Sequence, residues 1–244
     1  MPTHLPAMSV SQRILRRLGA PLAGLHYRYF FGRSSPIALW LGRWVDRWEE
    51  TSRRGDVPLD RERWEQQYHS GRWACLADAS ETARYGALAG FLTREDGLAE
   101  VLDVGCGEGL LRRFYPALGL HFTGIDLSEA AIARARQQNL PSDRWLQADA
   151  ETFAPSRPPG AIVLNECLYY LRQPTRQARR YLDLLVPGGL LLVSMFRTPR
   201  TDAIARSLAR ELPLEEEVEI LGKRGTWRVQ VFRRGTPPIA PTAR

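Results

Sequence analysis

The stretch Val101-Leu-Asp-Val-Gly-Cys-Gly-Glu-Gly109 decides the fold of this chain. An apolar run that ends in a glycine-rich turn predicts a strand, a tight loop and the start of a helix, and the backbone of such a loop can approach a nucleoside closely. An acid follows about twenty residues after the first glycine, as Asp126 in Gly124-Ile-Asp126. A carboxylate there can accept hydrogen bonds from both hydroxyls of a ribose. We therefore expect a βαβ unit that binds a nucleoside.

Two residues near this turn indicate which nucleoside it binds. The dinucleotide fingerprint has a glycine three places after its second glycine, and Leu110 stands at that position. Asp103 lies two residues before the first glycine, at the mouth of the expected site. Its carboxylate would repel a pyrophosphate and attract a ligand that carries a sulfonium and an ammonium group. Both observations disfavour a nicotinamide dinucleotide.

The pattern resembles motif I of the class I S-adenosylmethionine (SAM)-dependent methyltransferases. The resemblance extends roughly from Trp64 to Phe196. The segment Leu164-Asn-Glu-Cys-Leu-Tyr-Tyr-Leu171 closely resembles one in the nodulation-type N-methyltransferases, which act on amino-sugar oligosaccharides, and in related glycan and natural-product enzymes. The resemblance implies SAM as the cofactor and an α/β fold with a Rossmann-like seven-stranded sheet. It also implies helices that cap the SAM pocket.

The hydrophobic pattern from residue 100 onward agrees with this fold. Apolar runs that alternate with helical stretches are typical of a parallel sheet with helices on both faces. The last two runs flank Gly222-Lys-Arg-Gly225 and predict an antiparallel C-terminal hairpin. The predicted strands are Val101–Val104, Phe122–Ile125, Trp145–Ala148, Ala161–Leu164, Leu190–Met195, Val218–Leu221 and Trp227–Phe232, and the predicted helices are Leu110–Ala117, Ser128–Gln138 and Gln173–Leu185.

Three regions are predicted along the chain. Residues 1–60 form a helical N-terminal extension and residues 235–244 a disordered, proline-rich tail. Residues 61–234 form the methyltransferase domain, with capping helices at 61–99 and a Rossmann-like core at 100–234. In the extension, Trp40, Trp44 and Trp48 follow one another at helical spacing. We expect this stripe to pack on the body of the enzyme, on a second subunit in a homodimer, or on an anionic membrane.

The distribution of charge and the cysteine content indicate the partners and the cellular compartment of the protein. Residues 1–45 hold six Arg and no acid, and residues 222–244 hold six basic residues and no acid, in a chain of net charge +7. Such ends suit an anionic membrane face, an anionic substrate or a nucleic acid, or are solvated tails. Three cysteines without a C-x-x-C pair indicate neither a disulfide framework nor a metal site. We expect a cytoplasmic protein, with peripheral contact at the inner face of the membrane as an alternative.

The resemblance assigns the cofactor-binding residues. Asp126 is the ribose ligand and Asp149 meets the adenine amino group, with a helix cap as the alternative for each. Arg84 pairs with the SAM carboxylate, and the alternative is a solvated surface position. The remaining residues of the predicted cofactor site are Asp103, Gly105, Cys106, Gly107, Leu127, Ala150 and Asn165.

Three residues are candidates for the chemistry of transfer. Glu166, Tyr169 and Tyr170 follow the fourth predicted strand, and open α/β sheets place ligands at the carboxyl ends of their strands. Glu166 is the candidate base or substrate-orienting residue, with a salt bridge or a cap as the alternative. One of the two tyrosines is expected to supply a hydroxyl at the reaction centre, and the other to lie in the core.

The expected acceptor is a small molecule or a glycan, methylated on an oxygen or a nitrogen. Asn165-Glu166 differs from the Asn/Asp-Pro-Pro-aromatic sequence with which amino-methylating nucleic-acid enzymes clamp a flipped base, and an acid there would repel phosphates. A nucleic-acid partner is therefore not expected. The alternatives are an RNA methyltransferase and, less favoured, a non-catalytic scaffold that binds SAM.

Overall fold

A computed structural model of the chain describes residues 36–37, 40–41, 61–138, 140–222 and 225–235. The chain divides into two compact units, Met1–Val57 and Pro58–Arg244. In the first unit the described positions are helical, with Trp40 exposed over 61% of its surface. Trp44, Trp48 and the tail from residue 236 lie outside the described residues. The predicted boundary near residue 60 and the role of the extension stay predictions.

The described residues of the second unit form a single seven-stranded sheet. Its strands are β1 (Glu100–Val104), β2 (His121–Asp126), β3 (Arg144–Gln147), β4 (Ala161–Asn165), β5 (Leu190–Phe196), β6 (Leu214–Gly222) and β7 (Gly225–Arg233). Their order across the sheet is β3-β2-β1-β4-β5-β7-β6. The pairings among β1 to β5 are parallel, and β7 runs antiparallel to both β5 and β6.

Helices precede the sheet and connect its strands. They are α1 (Arg61–His69), α2 (Thr82–Thr93), α3 (Leu110–Phe114), α4 (Glu129–Gln138), α5 (Pro174–Leu184) and α6 (Pro199–Glu211), with 3-10 turns at Ala74–Ala77, Ala79–Glu81, Pro116–Leu118 and Leu168–Tyr170. Within the described ranges, none of these helices combines the length and the apolar character that a bilayer crossing needs.

Each face of the sheet carries its own apolar core. Successive residues of a strand point to opposite faces, so Val101 belongs to a cluster with Leu88 of α2, and Leu102 belongs to one with Tyr181 of α5. Because both faces are covered, the central strands are apolar along most of their length. The strand order reverses between β1 and β4, and the carboxyl ends of these two strands open the crevice where such sheets bind ligands.

The predicted fold class and its C-terminal hairpin are confirmed, with three differences in the elements. Helix α6 was not predicted from the sequence, although Thr198 and Thr201 cap it reciprocally and Pro199 occupies its first turn. Strand β6 begins at Leu214, earlier than predicted. Helix α3 ends at Phe114 rather than Ala117, because a proline begins a 3-10 turn two residues later.

The edge strand β6 carries a row of acids that pair with arginines of neighbouring elements. Arg228 of β7 contacts Glu217 at 3.2 Å and Glu219 at 3.0 Å. Two further pairs join β6 to its neighbours, Arg94–Glu216 and Arg233–Glu215, each at 2.5 Å.

A buried ion pair joins helix α3 to the loop before β3, and its acid also binds the backbone of β2. Arg112 Nε donates to Asp143 Oδ2 at 2.9 Å, and the two side chains are 4% and 0% exposed. Asp143 Oδ1 also accepts the N–H of Phe122 at 3.2 Å, and Arg112 donates to the carbonyl of Pro116 at 2.8 Å. Both charges are therefore paired and hydrogen-bonded inside the protein.

We expect Asp143→Ala to lower the free energy of unfolding by about 3–5 kcal/mol, because Arg112 would remain buried without its counter-charge. Urea denaturation measures the loss. The control is Glu129→Ala, which removes the exposed pair with Arg136 and should cost less than about 1 kcal/mol. Losses of equal size in the two variants would contradict this account of the buried pair.

Candidate active site

The turn after β1 contains Gly105 and Gly107, so backbone without side chains lies at the crevice. Gly105 and Gly107 have positive φ angles of 67° and 55°, which glycine adopts without strain. A side chain at Gly105 would lie 2.5 Å from Cys167 Cβ, and one at Gly107 would lie 2.9 Å from the hydroxyl of Tyr68. The turn therefore requires glycine at both positions, and its surroundings leave no room for a side chain.

Asp126, at the end of β2, fixes the shape of this turn. Its Oδ2 accepts the N–H of Gly107 at 3.0 Å and its Oδ1 accepts the N–H of Ser128 at 2.9 Å. Burial raises the pKa of Asp126 to about 6, although the backbone N–H groups of Ser128 and Gly107 oppose the shift. The helix cap itself is Ser128, whose Oγ accepts the N–H of Ala131 at 3.2 Å. Asp126 thus lies beside the glycine turn, as predicted for a ribose ligand.

Arg84 of α2 is buried, so the alternative of a solvated surface position is wrong. Its side chain is 1% exposed and donates to Glu81 Oε2 at 2.9 Å and to Asn165 Oδ1. The guanidinium lies 4.4 Å from the centre of the Tyr85 ring. Burial disfavours the charge, yet Tyr85, Glu166 and Glu81 together keep the pKa of Arg84 above its ordinary value. The hydrogen bond from Arg84 to Asn165 brings together two residues of the predicted cofactor site.

Asp103 lies in the same buried region, next to the turn. Burial and the charge of Asp126 raise its pKa to about 7, while Arg84 lowers it. Asp103 Oδ1 and Arg84 Nε are both buried without a hydrogen-bond partner among the described residues. Buried polar groups in this state are costly, and a ligand that pairs with them removes the cost.

Asp149 lies in the loop that follows β3 and is exposed. Its Oδ1 accepts the N–H of Glu151 at 2.8 Å, which closes a tight turn. Nearby, Gln147 Nε2 donates to the carbonyl of Leu127 at 3.1 Å, so the ends of β2 and β3 are joined. Leu127 and Ala150 are half-buried beside this junction. The predicted adenosine-binding residues therefore lie at the carboxyl ends of β2 and β3.

Glu166 follows β4 with a positive φ of 58°, which is uncommon for a residue with a side chain. Three donors surround its carboxylate: Ser194 Oγ at 3.0 Å on Oε1, and the N–H of Phe196 and the hydroxyl of Tyr169 on Oε2, at 3.0 and 3.1 Å. Burial raises its pKa, against the effect of Arg84 and of these donors. Glu166 therefore ties its loop to β5 and fixes the hydroxyl of Tyr169.

Aromatic rings from the capping segment meet the loop after β4. Trp64 stacks on Trp73 with ring centres 5.6 Å apart and contacts the Tyr170 ring edge-on at 5.0 Å. Tyr170 in turn lies 4.5 Å from Tyr169, which packs against the core. The structure thus brings the three predicted catalytic residues together, with the tryptophans beside them.

Helix α1 is fastened over the glycine turn by contacts that the sequence analysis did not include in the site. Glu65 Oε1 accepts the N–H of Ala130 at 3.1 Å, and Arg134 donates to the carbonyl of Tyr68 and to Glu108. Burial, and then the charge of Asp126, raise the pKa of Tyr68 well above its ordinary value. The spacing of Trp64 and Tyr68 on one helix face is the signal that would have identified this contact.

The two cysteines of the site are packing residues. The thiol of Cys167 donates to the carbonyl of Val104 at 3.0 Å, and Cys106 is buried next to Gly124. Burial raises the pKa of both thiols well above the ordinary value, which disfavours the reactive thiolate.

Comparison with known proteins identifies the family. A family described as a methyltransferase domain matches residues 61–236 of this chain. This chain belongs to the SAM-dependent methyltransferases. Among solved structures, the N-methyltransferase NodS from Bradyrhizobium japonicum WM9, in complex with S-adenosylhomocysteine (SAH), has a TM-score of 0.60 and 22% identity. The alignment covers 70% of this chain and 97% of NodS, which shows that the two share a fold.

Two curated relatives match a shorter part of this methyltransferase. Trans-aconitate 2-methyltransferase from Azoarcus sp. (strain BH72) is 34% identical over 134 residues, which are 53% of this chain and 51% of the relative. Ubiquinone biosynthesis O-methyltransferase from Xanthomonas campestris pv. campestris (strain B100) is 37% identical over 127 residues, 47% of this chain and 52% of the relative. The chain thus spans about half the length of the curated relatives it matches.

Asp103 of β1 and Arg84 of α2 carry charges that fit the amino-acid group of SAM. That group carries an ammonium and a carboxylate, and the unpartnered Asp103 Oδ1 and Arg84 Nε offer one charge of each complementary sign. The half-buried turn of Gly105 and Gly107 would present its backbone to the methionine part of SAM beside these two groups.

We expect the affinity for SAH to rise about tenfold between pH 6 and pH 8, because an ionised Asp103 with a pKa of about 7 attracts the ammonium. The stability of the ligand-free protein changes with pH in the opposite direction. The raised pKa makes ligand-free protein lose stability as the pH rises from about 4 through about 7. Calorimetric titration and thermal melts measure the two trends. Asp103→Asn should reduce both slopes and leave the part that Asp126 contributes through its pKa of about 6, and unchanged slopes in that variant would contradict the assignment.

Proposed function

We propose that this protein transfers the methyl group of SAM to an oxygen or nitrogen atom of a small molecule or glycan. The observation that carries the proposal is the pair of unpartnered buried atoms, Asp103 Oδ1 and Arg84 Nε, beside the glycine turn. They lie where the strand order reverses, the usual ligand position in open α/β sheets.

The other cofactor contacts are proposed from the same geometry. Asp126 would exchange its backbone partners for the ribose hydroxyls, and Asp149 would accept from the adenine amino group. Leu127 and Ala150 would flank the adenine, and the backbone of Gly105, Cys106 and Gly107 would approach the methionine. Asn165, which accepts from Arg84, would keep that guanidinium aimed at the carboxylate.

Two observations support a small acceptor. The relatives named above are a trans-aconitate and a ubiquinone-biosynthesis methyltransferase, and NodS is named an N-methyltransferase. In the structure, the rings of Trp64, Trp73 and Tyr170 form a cluster beside Tyr169, which binds Glu166, and such rings suit the flat face of a sugar or of an aromatic compound. Homodimerisation and contact of residues 1–60 with a membrane stay predictions.

SAM supplies a methyl group on a sulfonium, which reacts by direct displacement when nucleophile, methyl and sulfur are aligned. A hydroxyl or ammonium acceptor must also lose one proton. Tyr169 donates its own hydroxyl proton to Glu166, so the lone pairs of its oxygen face away from that bond and can accept from the acceptor. We propose that the acceptor proton passes to the Tyr169 oxygen as the Tyr169 proton passes to Glu166. The raised pKa of Glu166 favours that transfer.

Asp126→Ala should weaken SAH binding by about 2–4 kcal/mol, because the ribose loses its charge-assisted hydrogen bonds. Isothermal calorimetry with SAH, and with NAD as the competing nucleotide, tests the cofactor assignment. Circular dichroism confirms that the variant is folded. Heat with NAD alone, or unchanged SAH affinity in a folded Asp126→Ala protein, would contradict the proposed function.

Glu166→Gln and Tyr169→Phe should each lower kcat by about 10²–10⁴-fold with SAH affinity unchanged, because each removes a member of the proton path. The double variant should be no slower than the slower single variant, since the two residues act as one unit. Ser194→Ala is the control: it removes a hydrogen bond to Glu166 but leaves its proton-accepting oxygens, so kcat should fall less than tenfold. Additive losses would refute the relay.

A further inference from the structure

Side chains of α5 fasten the loop that carries Asp149. Arg180 Nη1 donates to the carbonyl of Ala150 at 3.1 Å, and Arg180 Nη2 donates to the carbonyl of Phe153. The hydroxyl of Tyr181 donates to the same Ala150 carbonyl at 2.5 Å. Two residues of one helix therefore hold the first part of the loop at two points of its backbone, Ala150 and Phe153.

The hydrogen bonds from Arg180 and Tyr181 to the loop form a rigid anchor. Tyr181 is fully buried in the core, so its hydroxyl has a fixed position. The guanidinium of Arg180 lies 4.9 Å from the centre of the Tyr181 ring and donates to Gln177 on the same helix at 3.3 Å. A planar guanidinium can bridge two carbonyls at a fixed spacing, which a lysine ammonium cannot reproduce.

The position of the Asp149 carboxylate depends on this anchor. Ala150 is its immediate neighbour in the chain, and Phe153 closes the turn by donating its N–H to the Asp149 carbonyl at 2.9 Å. The carboxylate itself is exposed, and its Oδ1 binds only within the loop, to the N–H of Glu151. Among the hydrogen bonds of the described residues, those of Arg180 and Tyr181 are the ones that tie Ala150 to a helix.

We propose that Arg180 and Tyr181 are positioning residues that give the cofactor site its selectivity for adenine. They do not touch the base. They hold Asp149 where its carboxylate accepts from the 6-amino group and opposes a purine with an oxygen at that position. The inference rests on the adenine role of Asp149 in the proposed function. It adds Arg180 and Tyr181, which lie on α5 and affect the base only through the backbone of the loop.

Calorimetric titration with SAH and with S-inosylhomocysteine, which carries oxygen in place of the 6-amino group, tests the proposal. Wild-type protein should prefer SAH by about tenfold or more, the effect of one hydrogen bond with a charged partner. Arg180→Ala should bring the preference close to one at an unchanged far-ultraviolet spectrum. Tyr181→Phe keeps the ring and loses only the hydroxyl, so it should reduce the preference by about threefold, and it carries the test if Arg180→Ala does not fold.

Arg179→Ala is the matched control on the same helix. Arg179 is exposed and donates to the carbonyl of Glu211 at 2.7 Å, away from the loop, so its loss should leave the preference at the wild-type value. A general softening of α5 would lower both affinities equally in all three variants, and that result would overturn the proposal.

Asp149→Asn tests the adenine role of Asp149 separately from the positioning role of Arg180 and Tyr181. Its amide can donate to the 6-oxygen, so the preference should fall or reverse. If Asp149→Asn changes the preference and a folded Arg180→Ala protein retains it, the positioning role is overturned and the role of Asp149 stands. If Asp149→Asn leaves the preference unchanged, the adenine role of Asp149 fails, and the role of the two α5 residues fails with it. SAM binding as such, measured with SAH, would survive either result.

Discussion

The buried charge of Arg84 is the constraint on which the rest of the site depends. Glu81 neutralises it from the preceding turn, and Asn165 accepts from it at the end of β4. A guanidinium in this position would be costly alone, and so would the carboxylate of Asp103. Each of these buried groups is therefore stable only when the others are in place. Helix α2 is joined to the sheet by charge as well as by its apolar face.

The same constraint explains why the ends of β1 and β4 stay polar inside an apolar sheet. Asp103 is a buried acid within the otherwise apolar run of β1, and Glu166 takes a backbone angle that few residues with a side chain adopt. Both features cost stability in the ligand-free protein. Asp103 has no packing reason, because its Oδ1 is buried without a hydrogen-bond partner among the described residues, whereas Glu166 also ties its loop to β5. A protein that keeps such features is organised around what it binds.

For the three acids of the predicted cofactor site, the spacing in the sequence and the geometry of the sheet coincide. Asp103, Asp126 and Asp149 each occupy the end of a successive strand or the residues just after it, and parallel strands bring such positions to one edge. Arg84 and Asn165 lie 81 residues apart, and Ser194 lies 28 from Glu166, so no local pattern joins them. These contacts follow from the order of the strands across the sheet, which periodicity alone does not specify. Helix α6 was missed for a local reason, since its arginines obscure a narrow apolar stripe.

The acidic row on β6 has a consequence for the protein in solution. Among the described strands, none pairs with the outer edge of β6, and an exposed edge is a template for joining another molecule. Two such edges in contact would set like charges opposite each other, which disfavours pairing. Within one molecule, Arg94, Arg228 and Arg233 pair with these acids, so the folded protein tolerates the acidic row. The acids on β6 thus disfavour the pairing of this edge with the same edge of a second copy.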